Sequence, residues 1–125
     1  MQITANLIVD AIEPCLPFWC ERLGFTVNVE VPHGGRLGFV ILVRDGAEVM
    51  LQTHASLADD IAPIANERFA TVLYVHVDDL KPIKKALAGV DRIVSDRRTF
   101  YGADEVLVRD PVGNVVIFAQ RAESP

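Results

Sequence analysis

The side chains best suited to chemistry in this sequence are three histidines (His33, His54, His76), two cysteines (Cys15, Cys20) and the adjacent carboxylates Asp59 and Asp60. An imidazole can ligate a metal or carry a proton near neutral pH. Strand alternation puts His76 on the face of Val72 and Tyr74, and gives His54 the parity of Met50 and Gln52. A two-histidine metal site would need His54 and His76 to converge. His33 lies in Pro32-His33-Gly34-Gly35, a turn signal that places it in solvent. A cysteine nucleophile needs a nearby base and a lowered pKa, and nothing around Cys15 or Cys20 supplies either. Gly34-Gly35 is followed by neither a helix start nor a Walker-type lysine, so it is a turn rather than a phosphate cradle. Asp59-Asp60 falls in an aperiodic connector and reads as a solvated pair. The polar residues expected around a binding face are Asn6, Gln52, Tyr74, His76 and Glu105. Phe100 and Tyr101, on a loop, are placed to close its mouth. The ordinary alternatives are that Asn6 satisfies a strand end and that Glu105 faces solvent.

The elements that must position these residues follow from periodicity. Ile3 to Val9 alternates as a strand. A helix is predicted from about Glu13 to Leu23, with Pro14 in its first turn, an apolar stripe of Leu16, Trp19 and Leu23, and Gly24 as its stop. Pro17 deletes an amide donor, so this helix cannot begin much before Glu13. Strands follow at Phe25 to Val31, Leu37 to Arg44 and Glu48 to Thr53, separated by the Pro32 to Gly35 and Asp45-Gly46 turns. His54 to Phe69 is a connector with a short helix around Ala58 to Ile61. The order then repeats. Thr71 to Val77 is a strand, and Leu80 to Ala88 a helix with Asp79 as N-cap and Gly89 as stop. Strands at Asp91 to Ser95, Ala103 to Arg109 and Asn114 to Gln120 complete the set. The repetition extends to residues. Asp10-Ala11-Ile12-Glu13-Pro14 echoes Asp78-Asp79-Leu80-Lys81-Pro82, and Leu42-Val43-Arg44-Asp45 echoes Leu107-Val108-Arg109-Asp110. Two echoes in the same order indicate a duplicated β-α-β-β-β module.

Composition bounds the function. The chain has 125 residues, of which half are hydrophobic and 23% charged, as in a folded domain. A formal charge of −5 disfavours nucleic acid or an anionic membrane, which need clustered Lys and Arg. A cationic or neutral small molecule is the easier guest. Cys15 and Cys20 diverge on one predicted helix and read as free thiols of a reducing compartment. No apolar run reaches the length of a membrane span and no leader is evident, so the cytoplasm is the expected location.

Several of these residues form a recognisable pattern. Phe18-Trp19 followed by Arg22-Leu23-Gly24-Phe25 resembles the first signature of the glyoxalase, bleomycin-resistance and extradiol-dioxygenase superfamily, also called vicinal oxygen chelate. Tyr101-Gly102, then Val108-Arg109-Asp110-Pro111 and Gly113-Asn114, resembles its second. Val77-Asp78-Asp79-Leu80 matches the start of its second module, and the likeness runs from Ile3 to Gln120. It implies one α+β domain over residues 1–125, with module one at about 1–54, a connector at about 55–69 and module two at about 70–121. The strands would curl into a cup with helices outside, completed in a homodimer. Asp110-Pro111-Val112-Gly113 also needs no family to explain it: it is good turn chemistry that Arg109 can brace.

Enzymes of that superfamily hold a divalent metal with His or Glu from the first and last strands of each module, leaving positions open for substrate oxygens. The resemblance places those positions on Thr4, on Met50 or Gln52, on Val72 and on Ile117. None is a good ligand, and a register slip does not help, because Ile3, Leu73 and Phe118 bind no metal either. No metal and no cofactor are therefore expected. The resulting expectation is a bleomycin-resistance-like protein that binds a drug or metabolite in a largely apolar pocket. Asn6, Met50, Gln52, Val72, Tyr74, His76, Tyr101, Glu105 and Ile117 are its candidate ligand-binding residues. Two alternatives stay open. One is an enzyme, either metal-independent with His76, Tyr74 or Glu105 as acid or base or a glyoxalase-like lyase or isomerase. The other is a regulatory subunit with a vestigial cup.

Overall fold

A computed structural model describes residues 2–121, apart from the side chain of Ser95. Two compact units divide at Phe69 and Ala70. The first contains β1 (Ala5–Val9), β2 (Thr26–His33), β3 (Arg36–Arg44) and β4 (Ala47–Thr53) in one sheet of order β1-β4-β3-β2. β1 runs parallel to β4 and the other neighbours are antiparallel. Two tight turns set the hairpins. Gly34 and Gly35 both take positive φ (61° and 83°), the backbone that matches strand twist in a two-residue loop. Alternation buries Leu7 and Val9 of β1, Val40 and Leu42 of β3, and Val49 and Leu51 of β4.

The segment after β1 departs from the expected continuous helix. It is a 3-10 turn at Glu13–Cys15 followed by a π-helix at Pro17–Arg22. Pro17 has no N–H to give and its ring clashes with the carbonyl four residues back, so regular α-helical bonding cannot pass through it. The Leu23 N–H accordingly reaches back five residues to the Phe18 carbonyl, at 3.2 Å. The 3-10 turn buries Cys15, and the π-helix with its cap buries Phe18, Trp19 and Leu23, while Leu16, expected in the apolar stripe, is only half-buried. Trp19 meets the rings of Phe18 and Phe25 edge-on at 5.2 and 5.4 Å. The connector helix also begins earlier than expected. It is α1 (His54–Asp60), capped by Thr53, whose hydroxyl accepts from the Ser56 N–H.

The second unit repeats the plan. β5 (Val72–His76), β6 (Arg92–Arg98), β7 (Ala103–Arg109) and β8 (Val115–Arg121) form a sheet of order β5-β8-β7-β6, with β5 parallel to β8. α2 (Leu80–Ala86) starts at Asp79, whose carboxylate accepts from the Lys81 N–H. Identical strand order in the two sheets is the duplication expected from the residue echoes. β6 runs three residues past its expected end, because Arg97 and Arg98 continue the pairing with Glu105 and Asp104. The β7–β8 turn is held by Asp110, which accepts from the Val112 and Asn114 N–H groups and from the Asn114 side chain. Asn114 in turn accepts from the Thr71 N–H at the start of β5, and Arg109 braces the turn through the Gly113 carbonyl.

One close approach constrains the first unit. A Cβ on Gly38 would lie 2.4 Å from the Cβ of His33 and 3.3 Å from that of Ser56. Gly38→Ala must therefore displace the end of the β2–β3 hairpin, at a cost of about 1–3 kcal/mol. Urea denaturation should show a lower midpoint for this variant; an unchanged midpoint would mean that the hairpin end has room to move.

Candidate functional site

β5 turns Val72, Tyr74 and His76 to one side, and all three are exposed, Val72 by 63%. Their neighbours across the parallel pair are Val115, Ile117 and Ala119 of β8, and beyond these lie Leu107 and Glu105 of β7. This face gathers six of the nine candidate binding residues: Val72, Tyr74, His76, Tyr101, Glu105 and Ile117. Glu105 is its anchor and does not face solvent, being only 1% exposed. The Tyr74 hydroxyl donates to Glu105 Oε2 at 2.6 Å and the Tyr101 hydroxyl donates to the same oxygen at 2.8 Å. Arg97, one strand over, donates to Oε1 from Nε at 2.9 Å and from Nη2 at 2.7 Å. His76 stands edge-on to Tyr74 at 5.0 Å, and Phe100 edge-on to Tyr101 at 5.1 Å.

The protonation states follow from these contacts. Burial pushes the Glu105 carboxyl upward, but the phenol of Tyr74, the guanidinium of Arg97 and the phenol of Tyr101 together outweigh it and hold it below the ordinary value. Tyr74 moves the other way: its bond to the Glu105 carboxylate, then the contact with Tyr101, raises it well above the usual phenol range. Glu105 is thus a carboxylate with its acceptor positions filled, and Tyr74 a phenol that keeps its proton. Neither is poised for acid-base work at neutral pH. Arg97 was missed in the sequence because β6 was expected to end at Ser95. The signal available was the Arg97-Arg98 pair facing the acidic pair Asp104-Glu105 across one short turn.

The remaining three candidates, Asn6, Met50 and Gln52, lie in the first unit. Asn6 and Met50 are register partners on β1 and β4. The Asn6 amide donates to Gln52 Oε1 at 3.0 Å, and the Gln52 amide donates to Ser56 Oγ at 3.1 Å. Gln52 is buried, so its polar groups are spent within this relay. Glu48, on the same side of β4 and not among the candidates, accepts from the Thr4 hydroxyl at 3.0 Å.

The histidines separate. His54 leaves strand parity because α1 begins there; its Nε2 lies 3.6 Å from Asp10, and its buried Nδ1 has no hydrogen-bond partner among the described residues. His33 is not a free turn residue. It ends β2, is half-buried, and bonds Asp59 at 2.6 Å. Asp59 is accordingly paired rather than simply solvated. The clue missed in the sequence was Gly38 inside β3, which leaves space for the His33 side chain.

No family model and no curated protein sequence matches this chain. Solved structures do. TioX from Micromonospora sp. ML1 aligns over 98% of this chain and 99% of its own, with a TM-score of 0.77 at 17% identity. Lactoylglutathione lyase from Agrobacterium tumefaciens aligns over 96% and 92%, with 0.76 at 18% identity. A bleomycin-binding protein complexed with bleomycin aligns over 98% and 99%, with 0.71 at 20% identity. The chain has the glyoxalase/bleomycin-resistance fold.

In proteins of this fold that hold a metal, the residues must offer lone pairs. Here the Thr4 hydroxyl is bound to Glu48 and the Gln52 amide to Asn6 and Ser56, while Val72 and Ile117 carry no donor atom. Among the described residues no group of three or more His, Cys, Asp or Glu is placed to hold an ion. At the positions that the sequence resemblance assigns to metal ligands, Thr4, Met50 or Gln52, Val72 and Ile117, the side chains present do not suit a divalent metal.

Because Glu105 is bound more tightly as a carboxylate than as an acid, it contributes stability fully above the ordinary glutamate value of 4.5. That contribution is lost as pH falls through its lower folded-state value. The stability of Glu105→Gln should therefore fall less steeply with acid than that of wild type below about pH 4.5. Urea unfolding from pH 2 to 7 measures the difference, and parallel curves would show that the carboxylate gains nothing from its partners.

Proposed function

We propose that this protein is a metal-independent binder of a small drug-like or metabolite molecule, of the bleomycin-resistance kind, and that it works as a cytoplasmic homodimer without a cofactor. The observation that carries this reading is the face of β5 and β8. The positions where the family resemblance would put metal donors carry Val72 and Ile117, and beside them stand exposed aromatic rings fixed from beneath by Glu105. An aliphatic and aromatic surface with a few oriented polar groups suits an organic guest better than an ion. Each 100 Å² of apolar area covered contributes about 2.5 kcal/mol, so affinity would come from Val72, Ile117 and the rings. Tyr74 and His76 would add orientation.

The dimer follows from the same exposure. Val29, Val31, Phe69, Val72, Ile93 and Phe100 are all exposed large apolar residues, and a second copy covering part of them offsets the cost. Native mass spectrometry of the purified protein should give a dimer with no stoichiometric zinc, iron, nickel or manganese. A monomer at micromolar concentration would overturn the assembly, and one bound metal per chain would overturn the metal independence.

The binding face itself is tested by thermal-shift screening of aromatic amines, cationic aromatics and apolar metabolites. Tyr74→Ala and His76→Ala should weaken the hits several-fold while the domain stays folded, whereas Ile117→Asp should abolish both folding and binding. Hits that bind the two alanine variants as tightly as wild type would move the site elsewhere.

A further inference from the structure

We propose that Tyr74 and Tyr101 form an acceptor pair that selects flat aromatic ligands carrying an N–H donor, a specificity imposed by Glu105 beneath them. This rests on the small-molecule reading above and narrows it to a ligand class. The argument is a count of protons. An ionised carboxylate only accepts, and each phenol has one proton to give. Arg97 fills Oε1 with two N–H groups, so both phenols turn to Oε2. Their distances to it, 2.6 and 2.8 Å, are those of charge-assisted bonds, while the two phenol oxygens lie 3.3 Å apart. The protons go to the charged oxygen, and the contact between the phenols is left without one. Two oxygens therefore stand side by side on half-exposed rings with only lone pairs to offer. A guest N–H set over the gap can be shared between them; a guest ether or carbonyl oxygen there meets lone pairs alone.

The surroundings favour a flat guest and do not ask for a charge. His76 stands edge-on to Tyr74 and Phe100 edge-on to Tyr101, so each phenol ring has an aromatic wall beside it against which a flat guest can lie, Phe100 being fully exposed. Glu105 is matched by Arg97, and Asp104 by Arg98. With local charge balanced, hydrogen-bond direction is what remains to discriminate one flat molecule from another.

Indole and benzofuran separate these terms, since they share a shape and differ by N–H against ring oxygen. Titrated against the full-length protein by ligand-observed NMR, indole should bind wild type about five- to tenfold more tightly. The ratio should fall to about one in Tyr74→Phe and Tyr101→Phe. In Glu105→Gln the side-chain amide can donate to the phenols and free their protons to face outward, so the ratio should drop to one or below. Circular dichroism checks that each variant is folded, and the wild-type ratio decides the matter even where one is not. Equal binding of the two probes by wild type overturns the donor preference and leaves small-molecule binding standing. A ratio unchanged in the folded variants also overturns it, by placing the selectivity elsewhere. Binding of neither probe overturns the ligand class proposed here, and the thermal-shift screen above decides small-molecule binding separately.

Discussion

A carboxylate that is almost wholly excluded from water must find its full complement of donors inside the protein, and Glu105 finds four. They come from β5, from β6 and from the 99–103 turn, while Glu105 itself sits on β7. One side chain thereby pins the edge strand β6, the edge strand β5 and the loop that carries Tyr101. The demand for register is strict: a slip of one residue in β7 would turn Glu105 to the other side of the sheet and put Asp104 or Val106 in its place. The two irregularities in β6 before Arg97 are consistent with this, since they let the strand reach Glu105 with the arginine on the correct side.

The first unit has the same strand order, and the polar side chains buried among its described residues, Gln52 and Thr53, are neutral. Asn6, Gln52 and Ser56 pass hydrogen bonds along a line of neutral groups, each amide donating onward. A neutral relay costs less to bury than a carboxylate, but it orients nothing beyond itself. The turns have diverged in the same way. Arg44-Asp45-Gly46 closes β3 to β4 as a tight two-residue turn, with the Arg44 guanidinium on the Leu23 carbonyl. Arg109-Asp110 opens a longer turn in which Asp110 and Asn114 hold each other and the start of β5. Two copies of one plan have been specialised, and the second carries the oriented phenols.

The architecture was legible because it is written in period and punctuation. Alternation marks the strands, glycines and proline mark the turns, and the duplicated segments carry the repeat that the two sheets share. What failed were features set by bonds between distant residues. Pro17 was read as a limit on where a helix begins, whereas it breaks the α-helical pattern into a 3-10 turn and a π-helix. His33 looked like a turn residue because Asp59, its partner, is 26 positions away. Arg97 fell outside the expected strand because strand ends are decided by the partner strand, here the acidic pair Asp104-Glu105. At the candidate site Tyr74, Tyr101 and Glu105 could each be named from parity or position. That they share one oxygen is a fact of geometry that spacing does not encode.

That shared oxygen also bears on what the face can do. General acid-base catalysis requires a group that takes up or gives up a proton near the working pH. Glu105 has no open lone pair and is held ionised; Tyr74 is held protonated by the same bond that orients it. Preorganisation of this kind spends the titratable chemistry of the cluster on geometry. What is left at the surface is two phenol oxygens fixed by Glu105, exposed aromatic rings, and the aliphatic side chains of Val72 and Ile117. His76 meets this cluster through an edge-on contact with the Tyr74 ring. On the reading proposed above, such a face would discriminate among bound molecules by where their donors lie, and its two most tightly bonded groups, Glu105 and Tyr74, would serve binding geometry rather than proton transfer.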